Sequence, residues 1–188
     1  GVGVAPPEVL DFGEATIDFG VARQTFRVGR GAAAVGLALS GLLDIHRRWG
    51  KLPLHVVAAP AVALGRAGYE VGGPMSYILS LIAPIFAWTS ESKALCYLDD
   101  RLPQPGERMF NGQLADVIEA IAAQPTQLQG LYAQLAREFG PANGGLISST
   151  DLAEMKPSLM APVDIKLGEW SVLTMPSPSV GGALIAVG

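Results

Sequence analysis

The sequence predicts an α+β fold in which a helical middle lies between strand-rich ends. Three observations carry that prediction. Over about residues 33–156, apolar positions recur at the three-and-four spacing of helix faces, punctuated by Gly and Pro where helices would end. Both ends instead show short alternating or β-branched runs bounded by Gly and Pro. A sheet joining the distant ends around a helical insert gives an α+β or layered arrangement. With 188 residues, a single domain over 1–188 is the expectation.

Taken in order, residues 1–17 read as strand, turn, strand, broken by Pro6 and Pro7. Within them Val9-Leu10-Asp11-Phe12-Gly13-Glu14 is a strand-like run ending in two carboxylates. Period-two alternation places Leu10 and Phe12 on one face and Asp11 on the other. Gly13 lets the backbone bend or come close to a partner. Residues 18–31 read as a loop carrying Arg23, Arg27 and Arg30, with Gly29-Arg30-Gly31 as a flexible entry to the helices.

Residues 33–49 are the clearest helix, with Val35, Leu39, Leu42, His46 and Trp49 on one face and Ala38 at its edge. Arg47 and Arg48 favour its C-terminus, Gly50 stops it and Pro53 blocks continuation. A second helix over 54–67, with Val57, Ala61, Leu64 and Ala67 on a common face, would pack back on the first as an antiparallel pair. Pro60 belongs in its first turn or marks a kink. Residues 74–89 are helical but broken near Pro84, and 90–108 read as a loop held extended by Pro103 and Pro105. Asn111 caps a helix through Ala123 with Leu114, Val117, Ile118 and Ile121 inward. Residues 127–139 form the next helix, carrying Leu128, Leu131, Leu135 and Phe139. Asn143-Gly144-Gly145 is a turn, and Ser149 or Thr150 caps a brief helix through Met155. Strand chemistry returns over 161–167 and 170–175 around a Gly168-Glu169 hairpin turn, and a Pro/Ser/Gly loop over 176–182 leads into 183–187.

Composition excludes several classes. Net charge is −4 and the isoelectric point about 5.1, against a nucleic-acid or anionic-membrane partner. Charged residues are 16%, hydrophobic residues 49% and mean hydropathy +0.35. That is apolar for one domain, so the core is generous or another chain covers part of the surface. No apolar stretch reaches the roughly 20 residues of a membrane-spanning helix. Cys96 is the only cysteine, read as a small core residue, and His46 and His55 lack metal-site spacing; no metal or cofactor is expected. No basic region precedes an apolar run as in a signal peptide, which leans the compartment toward the cytoplasm. Gly1-Val2-Gly3-Val4 reads like the middle of a longer chain.

A self-contained active site is not apparent. The chain has no G-x-S-x-G, Walker loop, strand-borne G-x-G-x-x-G or H-E-x-x-H, and no catalytic residue is assigned to it. Apolar surface with ordered loops and no catalytic set points to half of a site.

Several motifs in order resemble the γ-glutamyltransferases. Leu10-Asp11-Phe12-Gly13-Glu14 is similar to their "LDFRE" stretch. The run from Gly36-Leu37 through His46 to Pro53 is similar to "AGL…HERYGRLP". Ala59-Pro60-Ala61, Leu64, Gly68-Tyr69 and Val71 resemble "APAIRLAEEGFPV". Gly144-Gly145-Leu146-Ile147 with Thr150-Asp151-Leu152 resembles "GGLLTLEDL", and Met175 to Gly182 resembles "MPPPSSGG".

The resemblance implies the large subunit of an N-terminal-nucleophile hydrolase of layered αββα type, to which this chain contributes mainly helices plus edge strands. In that family one precursor cuts itself, and the small subunit begins with a threonine that is nucleophile and, through its own amine, base. The small subunit also supplies most of the oxyanion hole. The partner implied is therefore the small subunit of the same precursor, with a small-molecule substrate. Asp11, Phe12, Gly13 and Glu14 would form a wall of the substrate pocket. Gly188 falls earlier than such a subunit is expected to end.

The departures concern the substrate. Where the family has arginine in "DFRE", this chain has Gly13. That arginine clamps the glutamyl α-carboxylate by charge-assisted bidentate hydrogen bonds; glycine removes the charge and is expected to open space. "PGTVAGL" becomes Gly31 to Leu37 without its proline, and one serine of "PPSSGG" is Val180. The expected function is thus a carbonyl-attacking hydrolase with a non-glutamyl substrate, such as an acylase or a carbon–carbon bond hydrolase of antibiotic biosynthesis. One alternative is a true γ-glutamyl hydrolase or transferase in which Arg23, Arg27 or Arg30 takes over the carboxylate. The other is a non-catalytic helical interaction module.

Overall fold

In a computed structural model of the chain, which describes residues 9–187, the first strand starts later than the sequence implies. β1 (Gly13–Asp18) pairs antiparallel with β2 (Arg23–Val28), with Gly13 opposite Val28 and Asp18 opposite Arg23. Alternation buries Ala15 and Ile17 and turns Glu14 and Thr16 outward. The loop expected over 18–31 is therefore largely a strand. Its arginines sit on the solvent side, where Arg27 pairs with Glu14 and Arg23 with Asp18, while Val28 is buried. Residues 9–12 are not strand, and Val9 and Phe12 are exposed. The expectation for 1–8 falls outside the described residues.

A single 3-10 turn (Arg30–Ala32) leads to α1 (Ala38–Trp49), which begins five residues later than expected. Gly36 precedes it, and Leu37 caps it without a side-chain hydrogen bond. Helix is costly at such a glycine, and nothing lies within 4 Å of where a Gly36 Cβ would be. Gly50 ends α1 in extended conformation, φ −64° and ψ 134°, with its N–H on the His46 carbonyl at 2.7 Å.

α2 (Leu54–Ala67) has the expected bounds, but Pro60 lies in its interior and not in its first turn. The anticipated packing also needs correction: α2 lies most closely on α6 (Gly112–Ala123), not on α1. Gly65 permits this approach. A Cβ there would sit 2.9 Å from the Ala115 Cβ, and the Gly65 carbonyl accepts from Asn111 N–H at 2.9 Å. Val62, Ala115 and Ile121 are buried, whereas Val57, Leu64 and Leu114 of the predicted faces are exposed. Arg66 adds a surface link to Asp116 and Glu119 at 2.7 and 2.6 Å. Such exposed pairs add little individually.

The break near Pro84 is present: α3 (Gly73–Leu81) and α4 (Ala83–Phe86) meet at Ile82, with Pro84 in the first turn of α4. The 90–108 segment is not all loop. Thr89 and Ser92 form a reciprocal capping box that starts α5 (Ser90–Cys96). Short strands β3 (Tyr69–Glu70) and β4 (Arg108–Met109) pair antiparallel beside a core of Val71, Leu79 and Met109, on which Met75, Phe86 and Cys96 pack. Burial raises the Cys96 thiol pKa, as suits a packing cysteine.

Asn111 caps α6 as expected, its Oδ1 accepting from Leu114 N–H at 3.0 Å. α7 (Gln127–Glu138) follows, and then α8 (Ser149–Glu154). The cap of α8 is Ser148, one residue before the expected position, in a box with Asp151.

Residues from Pro157 onward form a separate compact unit. In it β5 (Val163–Leu167) pairs antiparallel with β6 (Trp170–Thr174) across the anticipated Gly168-Glu169 turn, with Gly168 at φ +60°. The loop after β6 is shorter than expected, because α9 (Val180–Val187) begins at Val180. The expected sheet joining both ends is not present among the described residues: each strand pairs only with the next strand along the chain, in three two-stranded sheets. No described helix is long and apolar enough to cross a membrane.

Candidate functional site

The residues before β1 are held by backbone hydrogen bonds to two distant turns. Asp11 N–H donates to the Gly144 carbonyl at 2.9 Å, and the Asp11 carbonyl accepts from Gly31 N–H at 2.9 Å. Those bonds take the place of strand pairing, which is why β1 waits until Gly13. The turns can come this close because they are glycines. A Cβ on Gly144 would lie 2.7 Å from the Asp11 nitrogen, and one on Gly31 would lie 3.1 Å from its carbonyl oxygen. Gly29 likewise abuts the Asp11 carbonyl, and both Gly29 and Gly144 have positive φ, +100° and +76°. Gly29-Arg30-Gly31 thus serves as a cradle for Asp11.

The Asp11 carboxylate turns back onto the same segment. Its Oδ2 accepts from Arg30 N–H at 3.1 Å and faces the Arg30 guanidinium at 3.5 Å. Glu14 points from β1 to Arg27 at 2.6 Å. Phe12 is 44% exposed, and its ring lies 3.0 Å from where a Gly31 Cβ would be.

Gly13 does not open space, contrary to expectation. The six-membered ring of Trp88 lies on it: a Cβ at position 13 would be 2.8 Å from Cε2 and closer still to Cζ2 and Cη2. Trp88 is held there by the elements on either side. Its N–H donates to the Ile85 carbonyl at 3.2 Å as α4 ends against β1, and the next residue, Thr89, caps α5. Ser92 Oγ ties the two helices together by donating to the Phe86 carbonyl at 2.7 Å.

A cleft of about 540 Å³ opens beside this contact. Trp88, Ile85, Val28 and Phe139 supply its apolar wall, and Asp11, Arg27, Arg30, Glu91 and Glu138 its charged rim. The Glu91 carboxyl is held below its ordinary value by hydrogen bonds from its own backbone N–H and from Ser90 and Thr89, so it is ionised at neutral pH. Among the four residues expected to line a pocket, Asp11 faces this cleft, Gly13 and Glu14 adjoin it through Trp88 and Arg27, and Phe12 packs toward Gly31, off the cleft lining. Arg27 and Arg30 reach the cleft; Arg23 is not on its wall and pairs with Asp18 at 2.8 Å.

The sequence patterns assign Trp88 no role. The signal for its position lies in its four C-terminal neighbours: Thr89-Ser90-Glu91-Ser92 is an N-cap pattern with an acid in the first turn, which fixes Trp88 at a junction between two helices. Among the described residues, no group of three or more His, Cys, Asp or Glu side chains is placed to hold a metal ion.

A family model described as gamma-glutamyltranspeptidase matches residues 13–187. The chain is 32% identical over 161 residues to a protein named Acylase ACY 1 proenzyme from Pseudomonas sp. (strain V22), covering 85% of this chain and 29% of the relative. It is 27% identical over 169 residues to Glutathione hydrolase 5 proenzyme from Homo sapiens, covering 87% and 28%. Among solved structures, gamma-glutamyltranspeptidase from Pseudomonas nitroreducens complexed with L-DON superposes with a TM-score of 0.69 at 28% identity, over 84% of this chain and 47% of that one. The chain thus spans less than a third of the length of these curated relatives.

Proposed function

The chain belongs to the gamma-glutamyltranspeptidase family, and on that footing we propose that it is part of the large subunit of an N-terminal-nucleophile hydrolase whose substrate is not a γ-glutamyl compound. Its 188 residues would contribute to one domain of a heterodimer, completed by a small subunit from the same precursor. The word proenzyme in the relatives' names supports that origin. The nucleophile is the N-terminal threonine of the partner, which attacks a carbonyl while its own amine takes the proton. Asp11, Phe12, Gly13 and Glu14 would belong to one side of the substrate pocket, with Asp11 on the cleft lining and Trp88 covering Gly13.

The observation that carries the substrate reading is the Trp88 ring on Gly13. An arginine at this position is what the family pattern uses to hold an α-carboxylate; here the charge is absent and the volume is filled by a neutral indole. One matched relative is named an acylase and another a glutathione hydrolase, which supports a substrate other than glutathione. An acylase is the reading these observations favour; a carbon–carbon bond hydrolase of antibiotic biosynthesis would use the same attack on a carbonyl.

A true glutathione hydrolase is the second reading. It rests on Arg27 and Arg30 at the cleft, each already bound to a carboxylate.

Mass spectrometry of the purified full-length protein tests the enzyme: a second polypeptide beginning with Thr is expected, and its absence leaves the interaction module standing. Turnover of γ-glutamyl p-nitroanilide tests the substrate. Little or none is expected, and brisk turnover would restore the glutathione hydrolase.

A further inference from the structure

We propose that Trp88 determines specificity, and that the cleft beside Gly13 takes an uncharged, planar aromatic acyl group. The inference rests on the family reading above and names the substrate class of that same site. Three features of the cleft carry it.

The first is shape. Trp88 lies across Gly13 so closely that no side chain fits beneath it, and together with Ile85 and Phe139 it makes one apolar wall of a cleft of about 540 Å³. An indole presents a flat face suited to an aromatic ring in offset or edge contact. The volume lies within the range of small-molecule sites.

The second is charge. On the cleft lining, Asp11, Glu91 and Glu138 outnumber Arg27 and Arg30. Both arginines are engaged, Arg27 by Glu14 at 2.6 Å and Arg30 by Asp11 through its backbone and guanidinium. An acyl group carrying a carboxylate would meet an excess of negative charge and would have to compete for an arginine already in use.

The third is pre-organisation. Trp88 is bracketed by the end of α4 and the capping box of α5, and Ser92 hydrogen-bonds to both sides of it through Phe86 and Thr89. The backbone on both sides of the ring is fixed before any ligand arrives, which lowers the ordering cost of binding.

The test uses the full-length protein as purified, with whatever second chain it carries. Isothermal titration with phenylacetate and with L-glutamate reads the site without requiring turnover, and hydrolysis of phenylacetyl and γ-glutamyl p-nitroanilides reads it during catalysis. Phenylacetate is expected to bind at least tenfold more tightly than L-glutamate. Trp88→Ala should weaken phenylacetate at least tenfold, and Trp88→Phe should retain most of the affinity. Trp88→Leu keeps bulk without the aromatic face and serves if the alanine variant does not fold. Equal binding of the two acids, tighter glutamate, or phenylacetate affinity unchanged in both Trp88→Ala and Trp88→Leu overturns the proposal. Phenylacetate binding that depends on Trp88, in a protein that cleaves neither anilide and has no Thr-led chain, sustains this inference while removing the hydrolase reading.

Discussion

Asp11 N–H donates to the Gly144 carbonyl at 2.9 Å, joining two motifs that lie far apart in the chain and that both resemble the γ-glutamyltransferases. The bond depends on Gly144 twice over. Its φ of +76° is left-handed, and a Cβ there would stand 2.7 Å from the Asp11 nitrogen. Gly144→Ala should therefore lower stability by about 1–3 kcal/mol, read as a shift in the denaturant midpoint. Gly130→Ala is the control. It lies inside α7 with nothing within 4 Å of its Cβ position, so it should stabilise by about 0.5–1 kcal/mol. Equal effects of the two substitutions would remove the special role of Gly144.

The Gly13–Trp88 contact yields a double-mutant cycle. Gly13→Ala should cost about 1–3 kcal/mol because its Cβ lands in the ring. In a Trp88→Ala background the same substitution should cost far less, giving a coupling of about 1 kcal/mol or more. Additive effects in thermal or urea melts would show that ring and glycine are not in contact in solution. Gly13→Arg should lose stability for the same reason, because the arginine must first displace the Trp88 ring.

Glu107 supplies a pH signature. Its ion pair with Arg101, reinforced by Gln104 N–H at 2.7 Å, lowers its pKa from 4.5 to about 2. A carboxylate depressed on folding stabilises the native state above its unfolded pKa, and that contribution is lost as pH falls through the folded one. The melting-temperature difference between wild type and Glu107→Gln should thus be largest at neutral pH and shrink between pH 4.5 and about 2. A difference independent of pH would mean that the pair contributes nothing through its charge.

Ser148 caps α8 by accepting from Asp151 N–H at 3.0 Å, and Asp151 returns the bond to Ser148 N–H at 2.9 Å. Ser148→Ala should cost about 1 kcal/mol, whereas Ser149→Ala, one residue on, should be nearly silent. Hydrogen exchange of the first-turn amides of α8 would locate the effect. The reverse order of the two variants would return the cap to the position the sequence pattern favours.

Local chemistry was legible wherever it was self-sufficient. The α2 limits, the Asn111 cap, the break at Ile82 before Pro84 and the Gly168-Glu169 hairpin each depend on a few adjacent residues. The ordered motifs likewise identified the family, because five short patterns in register are specific where each alone is weak. The faces of helices were harder to read. Leu64 and Leu114 satisfy the helical period yet lie exposed, because the small residues Gly65 and Ala115, rather than the large apolar ones, decide where α2 and α6 meet.

By itself, the sequence determined the family, the limits of α2, α6 and α7, and the absence of an arginine at Gly13. Only the tertiary structure decided what occupies that arginine's volume. Gly13 reads as an opening along the chain, since a missing side chain leaves room. In space the room belongs to Trp88, brought there by two helix ends remote from β1. Volume at a contact is set by both partners, and a sequence names the second partner only once the fold has chosen it.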